Sequence, residues 1–387
     1  MIVYFIPIVL CFATAFIKEL SDNRRWYIAM GIYLCIFLCF GYMTGSDWKV
    51  YEFMYDNLDF NKFFYGYSSE PGYYLYMMLF KKCGIPFWAF FIFTKTIIFI
   101  IIYQALFDCC RESAWLALVY FIPWFGLYMF IDNPMRNCIA VAIFTLSVRY
   151  IIERDFWKFF LIMLVAGSFH VTALFLIVFY FILTKNPRKY VWAVLFVTVN
   201  LLFAKRDLLV TIIAKIFGLI PYFQNKLITY FVLDSVFVDG KIFSFGLMWQ
   251  TGLFVLMLCY KECIIEKIGD KMGLFAFNCA MVYMLFVRLA TTVPMFTRVQ
   301  LFFSVYLVIC IGLVVVSFDY HSRWMFASLL LAVSFYTGYD KITGSARYVP
   351  YSNIVGYVIK GDFPSYSSRY YYNLKHSPYT SPIDYGE

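Results

Sequence analysis

The hydrophobic pattern of this chain is one of long runs rather than alternation. Apolar runs lie near 2–17, 26–43, 86–107, 114–130, 137–152, 190–204, 243–260, 272–290, 299–316 and 324–338. Short charged or turn-forming clusters separate them. Runs without period-2 alternation read as helices bound for lipid, where each segment must satisfy its own backbone N–H and C=O groups. Several fall short of the ~20 residues that a perpendicular span needs, so these helices extend into polar flanks or cross only in part. One segment resists a simple count. "FWKFFLIMLVAGSFHVTALFLIVFYFILTKNPRK" (156–189) is basic at both ends, yet two full spans take ~40 residues. The pattern predicts two partial helices meeting at Ala166-Gly167-Ser168-Phe169-His170, with His170 at the vertex. Broken backbone at membrane depth is tolerable only inside protein or beside a wet cavity.

The loops sort by charge. "KELSDNRR" (18–25), "RDFWK" (154–158) and "KNPRK" (185–189) are basic, whereas the segment after the second run holds Asp47, Glu52, Asp56, Asp59 and Glu70 against two lysines. Basic loops stay cytoplasmic. Segments 44–85, 205–242 and 291–298 are therefore expected on the external face, the second as one or two surface-lying amphipathic helices. A polytopic transmembrane domain over 1–338 is expected to precede a polar, Tyr-rich external tail over 339–387. The N-terminus lacks a basic n-region and reads as a first spanning helix rather than a leader to be cleaved.

Composition narrows the class. The chain has 387 residues, 63% hydrophobic and 14% charged, with mean hydropathy +0.75, which excludes a soluble globular domain. The expected fold is an all-α polytopic membrane protein of roughly 10–12 transmembrane helices, including a broken or re-entrant pair around His170. The net charge of +9 sits in loops, and no basic stripe with interleaved aromatics points to nucleic acid. The 11 cysteines form no C-x-x-C pair, and three histidines are too few for a His-rich metal site. No cofactor and no metal is expected.

Ionisable residues inside spans are the best pointers to chemistry, because lipid makes them costly. Arg136, His170, Arg288 and Arg298 qualify. "NPMRN" (133–137) opens a run with Asn133 as the expected cap and Pro134 at the first helical position. Free N–H groups there, together with Arg136, favour an anion, and the guanidinium fork suits phosphate oxygens. "FVRLATTVPMFTRVQLFF" (286–303) places Arg288 at the end of one span and Arg298 at the start of the next, a second potential diphosphate clamp. Snorkelling to headgroups is the structural alternative for each arginine. His170 suits a general base or substrate orienter, or is a satisfied core histidine. Asp47 beside Trp48 suits a sugar, through carboxylate bonds to hydroxyls and an indole face on the ring. Glu70, in "SSEPGYYLYMMLF" (68–80), is a second candidate acid, or a helix cap.

Six motifs occur in order: "GSDWKVYEFMY", "SEPGYYLYMMLFKKCGIPFWAFF", "NPMRNCIAVAIF", "LIMLVAGSFHVTALFLI", "MFTRVQLFFSVY" and "YVPYSN". Together they resemble the EpsG family of bacterial polysaccharide-assembly membrane proteins, related to Wzy-type O-antigen and capsule polymerases. One departure is Arg136-Asn137, where the family often has Arg-Gln. The resemblance implies a fold similar to other lipid-sugar-using (GT-C-like) membrane glycosyltransferases. It implies a multi-pass protein of the bacterial inner membrane with its active site facing the periplasm or exterior. The implied donor is a growing glycan on undecaprenyl diphosphate, and the acceptor a repeat unit on the same lipid. Membrane lipid, a chain-length regulator and a flippase are the other expected partners, and nucleic acid is not one.

The expected mechanism is inverting transfer. Arg136, Arg298 and Arg288 hold the departing diphosphate. His170 or Asp47 takes the hydroxyl proton. Trp48, Tyr51, Glu70 and Asn137 complete the substrate-binding set. Two other readings compete: a sugar O-acyltransferase using His170, and a flippase or transporter whose arginines bind headgroups. Against the last, the chain shows none of the repeat halves that many transporters carry.

Overall fold

The structure, a computed structural model, describes residues 1–59, 70–204, 211–212, 215–216, 245–292, 295–344 and 347–376. In chain order its main helices are α1 (Ile6–Phe16), α2 (Arg24–Cys39), α3 (Trp48–Asp56), α4 (Pro71–Lys82), α5 (Phe87–Cys109) and α6 (Arg111–Phe121). A π-helical stretch, Ile122–Asp132, continues α6 and is called the wide helix below. Then come α7 (Met135–Ile152), α8 (Phe156–Phe169), α9 (Lys189–Ala204), α10 (Phe245–Cys259), α11 (Lys261–Ile268) and α12 (Asp270–Thr292). The series ends with α13 (Met295–Gln300), α14 (Ser304–Val316), α15 (Tyr320–Thr343), α16 (Ile354–Lys360) and α17 (Tyr366–His376).

No strand forms among the described residues, and the all-α polytopic membrane class holds. Five helices among them are long and apolar enough to cross a bilayer: Phe87–Cys109, Arg111–Asp132, Met135–Ile152, Asp270–Thr291 and Phe296–Val316. A sixth is added if α10 and α11, bent by 68° at Tyr260, form one span. Shorter apolar helices, Ile2–Phe16, Phe156–Phe169 and Lys189–Leu202, stand beside them among the described residues, because several apolar runs are stopped early. The first ends at Ile17, which is extended. The run from Phe156 ends at Phe169, as the 166–170 signal predicts. His170 is extended (φ −154°, ψ 118°) and a tight 3-10 turn over Val171–Phe175 follows. The segment 205–242 lies outside the described residues apart from 211–212 and 215–216, as do 60–69 and Val293-Pro294.

The chain packs as two compact units, Met1–Leu174 with Val315–Glu387, and Phe175–Val314. In the first, α1, α6 and α15 share a core in which Leu116, Val316 and Ala327 pack with Phe12 and Phe16. Trp324 stacks on Phe16 at 3.8 Å between centroids. Side-chain caps start α2 (Asn23 accepts from Arg25 N–H, 2.8 Å) and α8 (Asp155 accepts from Lys158 N–H, 3.2 Å), satisfying N–H groups that a helix start leaves open. The tail segment 347–354 lies along the loop after α2. Tyr42 N–H donates to Ser352 O, Gly45 N–H to Arg347 O and Ile354 N–H to Phe40 O.

In the second unit, Asn278 on α12 donates to Leu183 O and Lys185 O, both at 2.7 Å. Lys261 donates to Asn186 Oδ1 at 2.6 Å. Phe196 and Phe254 stack at 4.0 Å, joining α9 to α10.

Candidate functional site

Three elements of the first unit bring charged side chains together at one point. Glu70 stands immediately before α4, Arg136 in the first turn of α7, and His170 just past the end of α8. Arg136 Nη1 donates to Glu70 Oε2 at 2.5 Å. His170 Nδ1 meets the other oxygen, Oε1, also at 2.5 Å. Glu70 precedes the helix (φ −145°, ψ 69°), with Pro71 opening it, and its side chain makes no capping bond. The cap reading of Glu70 is therefore replaced by a pairing role. The approach of α4 to α8 depends on Gly72, since a Cβ there would lie 2.1 Å from Ser168 Oγ. Tyr76 and Phe169 meet edge to face at 6.0 Å across the same contact.

The electrostatics follow from burial. The Glu70 side chain is 5% exposed, that of His170 13% and that of Arg136 38%. An isolated buried carboxylate would cost several kcal/mol in desolvation. Here each oxygen has a partner, the guanidinium on one side and the imidazole on the other. A carboxylate only accepts, so Nδ1 carries the hydrogen. That sets the imidazole tautomer and directs its basic nitrogen, Nε2, away from Glu70. Tyr51 and Tyr73 are both buried and meet edge to face at 5.5 Å. The Arg136 guanidinium lies 5.9 Å from the Tyr51 ring. Tyr73 donates to Met135 Sδ at 3.4 Å, tying α4 to the start of α7.

The start of α7 differs from the expected cap-and-proline signal. The helix begins at Met135, and Pro134 is its boundary residue. Asn133 instead closes the wide helix in a left-handed conformation (φ 58°). Its N–H donates five residues back, to Tyr128 O at 2.9 Å. Its side chain is 1% exposed, and neither amide atom has a hydrogen-bond partner. The left-handed turn takes Asn133 out of the capping geometry that the motif suggested.

The other predicted residues fall around or away from this cluster. Asp47 is half-buried and accepts from Ser46 Oγ at 2.8 Å. It lies one turn before Tyr51, whose N–H donates to Asp47 O. Trp48 is buried against Trp88 and Tyr366, with centroids at 5.5 and 6.0 Å. The open indole face expected for a sugar is thus already covered by aromatic neighbours. Asn137 is buried as well. Arg288 and Arg298 belong to the second unit. Arg288 is 7% exposed and its Nε donates to Asn200 Oδ1 at 2.6 Å. Arg298 is half-buried on α13.

Sequence reasoning missed three features beside the site. Lys95 is buried inside α5, hidden by the unbroken apolar run around it. Tyr348 of the tail donates to the Asp132 carboxylate. Glu52 accepts from Trp88 Nε1 at 2.9 Å; burial pushes its carboxyl above the usual range, the indole bond opposes this, and Asp56 adds to the rise. Among the described residues no group of three His, Cys, Asp or Glu is placed to hold a metal ion.

The sequence model of the EpsG family matches residues 24–353, most of the chain. No curated protein and no solved structure matches it.

Proposed function

The chain belongs to the EpsG family, which makes it a membrane protein of polysaccharide biosynthesis, and on that premise we propose that it is a Wzy-type polymerase. It transfers a growing glycan from undecaprenyl diphosphate to a lipid-linked repeat unit on the external face of the bacterial inner membrane. The observation that carries the reading is the contact of Glu70 with both Arg136 and His170. It unites the ionisable residues of three separate family motifs around one buried carboxylate.

In this mechanism an acceptor hydroxyl attacks the donor's anomeric carbon. The new glycosidic bond forms as the bond from that carbon to the diphosphate oxygen breaks, with inversion. His170 Nε2 takes the hydroxyl proton. Glu70 fixes the tautomer and stabilises the imidazolium that results, so that it acts through His170 rather than on the substrate. Arg136 bonds Glu70 and Tyr51, and the exposed part of its guanidinium faces the departing diphosphate, where a preorganised cation lowers the barrier most. Orientation of the imidazole by Glu70 supports His170 rather than Asp47 as base; Nε2 is buried and makes no hydrogen bond, so the acceptor reaches it only through a local opening of the site.

The test is reconstitution. Purified protein in proteoliposomes is given a synthetic repeat unit on undecaprenyl diphosphate, and products are resolved by length. A polymerase yields a ladder and releases undecaprenyl diphosphate. Acyl transfer without change of length, or transbilayer movement without new bonds, overturns the proposal.

A further inference from the structure

Lys95 lies within the spanning helix α5 and is 2% exposed. Among the described residues no carboxylate lies within ion-pair distance of it. Its Nζ sits 4.6 Å from the centroid of the Phe91 ring and donates to Phe130 O at 3.2 Å. A lysine held at that depth by one carbonyl and one ring is expensive to keep. What it does follows from the carbonyl it meets. In a continuing α-helix, Phe130 O would accept from the N–H four residues on, and residue 134 is proline, which has none. The next N–H, that of Met135, is turned instead to Asn133 O at 2.7 Å. Lys95 therefore supplies the donor that Pro134 lacks, at the C-terminal end of the wide helix, where a cation also suits the helix dipole.

A second lysine contacts the start of the wide helix. Lys341 on α15 donates to Trp124 O at 3.2 Å and Pro123 O at 3.4 Å. Wide i→i−5 turns are rare and concentrate at functional sites. This one leads directly into the turn that sets where Arg136 projects. The turn is gripped further by Asp47 N–H on Asp132 O at 3.2 Å and by Gly45 (φ +88°), where any Cβ would collide with Ile131 O.

We infer that Lys95 is a positioning residue: by completing the hydrogen bonding of the wide helix at Phe130 O, it fixes the Asn133-Pro134 turn and so places Arg136 against Glu70. The catalytic importance of that placement rests on the polymerase reading, but the placement itself is testable without it. The native Arg136 side chain, 38% exposed, is treated with phenylglyoxal in purified full-length protein, and its modification rate is read by peptide mass spectrometry. Arg149, exposed at the far end of α7, serves as internal reference. Lys95→Met removes the donor, and Arg136, released from Glu70, should react about threefold faster or more relative to Arg149 as the turn opens locally. Lys95→Gln keeps an N–H donor without the charge and should react as wild type does. An unchanged Arg136 rate in Lys95→Met, or a Lys95→Gln rate as high as that expected for Lys95→Met, overturns the inference. Should Lys95→Met not fold, Lys95→Gln still decides, since a rise of about threefold there contradicts a role carried by the hydrogen bond. If the ladder assay fails while the modification pattern holds, the positioning role stands and the polymerase reading falls.

Discussion

Replacing Glu70 by glutamine tests the site at its centre. The side chain keeps its volume and one carbonyl oxygen but loses its charge, so it can no longer accept from both Arg136 and His170 as a carboxylate does. Charge-assisted hydrogen bonds contribute ~1.5–3 kcal/mol each. The His170 arm, with both ends mostly buried, carries that value in full. The Arg136 arm is discounted by about half for solvent screening, because its guanidinium is 38% exposed. Some bonding survives through the amide, so the expected loss of stability is ~2–4 kcal/mol. The catalytic loss should be larger. An imidazole free to take the wrong tautomer forfeits most of the ~10²–10⁴-fold that general-base catalysis provides, so kcat should fall ~10³-fold, or about 4 kcal/mol in barrier. The assay is the initial rate of ladder formation in proteoliposomes at temperatures where the variant remains folded. A Glu70→Gln rate within about threefold of wild type, less than 1 kcal/mol in barrier, would show the carboxylate to be structural only.

Other outcomes follow from the same geometry. Arg136→Lys keeps a charge but loses the fork that serves Glu70 and a phosphate oxygen together; ladder formation should drop by ~10²-fold, as for loss of one transition-state donor, and normal polymerisation would make Arg136 a membrane anchor. Gly72→Leu forces α4 away from Ser168 and should uncouple Glu70 from His170, so that adding Glu70→Gln to it costs far less than in wild type; full additivity of the two changes would contradict this. Glu52 has a raised carboxyl pKa, so the unfolded state ionises first as pH rises. Relative to Glu52→Gln, the wild type should lose stability as pH climbs through the ordinary value of 4.5, and a gain over that window in thermal melts would reverse the sign of the argument. Polymerisation should survive EDTA if the Arg136 guanidinium supplies the cation at the departing diphosphate; loss of activity restored by magnesium would remove that part.

Much of the fold could be read along the chain. Apolar runs mark α5, α7, α12 and α14, and basic charge at both ends of 156–189 exposes the break at His170. Glu70, Arg136 and His170 stand out individually, because ionisable groups near spans are rare. Their mutual contact does not, since it joins residues 66 and 100 positions apart through a close approach at Gly72 that no periodicity encodes. The wide helix is equally hidden, because Ile122–Asp132 has the composition of any apolar run, and only Pro123 and Pro134 hint that its bonding is irregular. Lys95 escapes notice for the same reason, lying in an apolar stretch whose one charge matters only once Phe130 O is known to need a donor. Trp48 and Asn137 show the converse. Both carry suggestive chemistry in the chain, yet packing covers them.

The central claim is that one unit of Glu70, Arg136 and His170 makes glycosidic bonds between lipid-linked repeat units. The most direct measurement gives purified wild type and His170→Gln the same synthetic undecaprenyl-diphosphate repeat unit in proteoliposomes, and follows both product length and undecaprenyl diphosphate release. Wild type should give a ladder with matching release of undecaprenyl diphosphate, and His170→Gln next to none. A wild type that moves the lipid across the bilayer without lengthening the glycan, or a His170→Gln ladder equal to wild type, would contradict it.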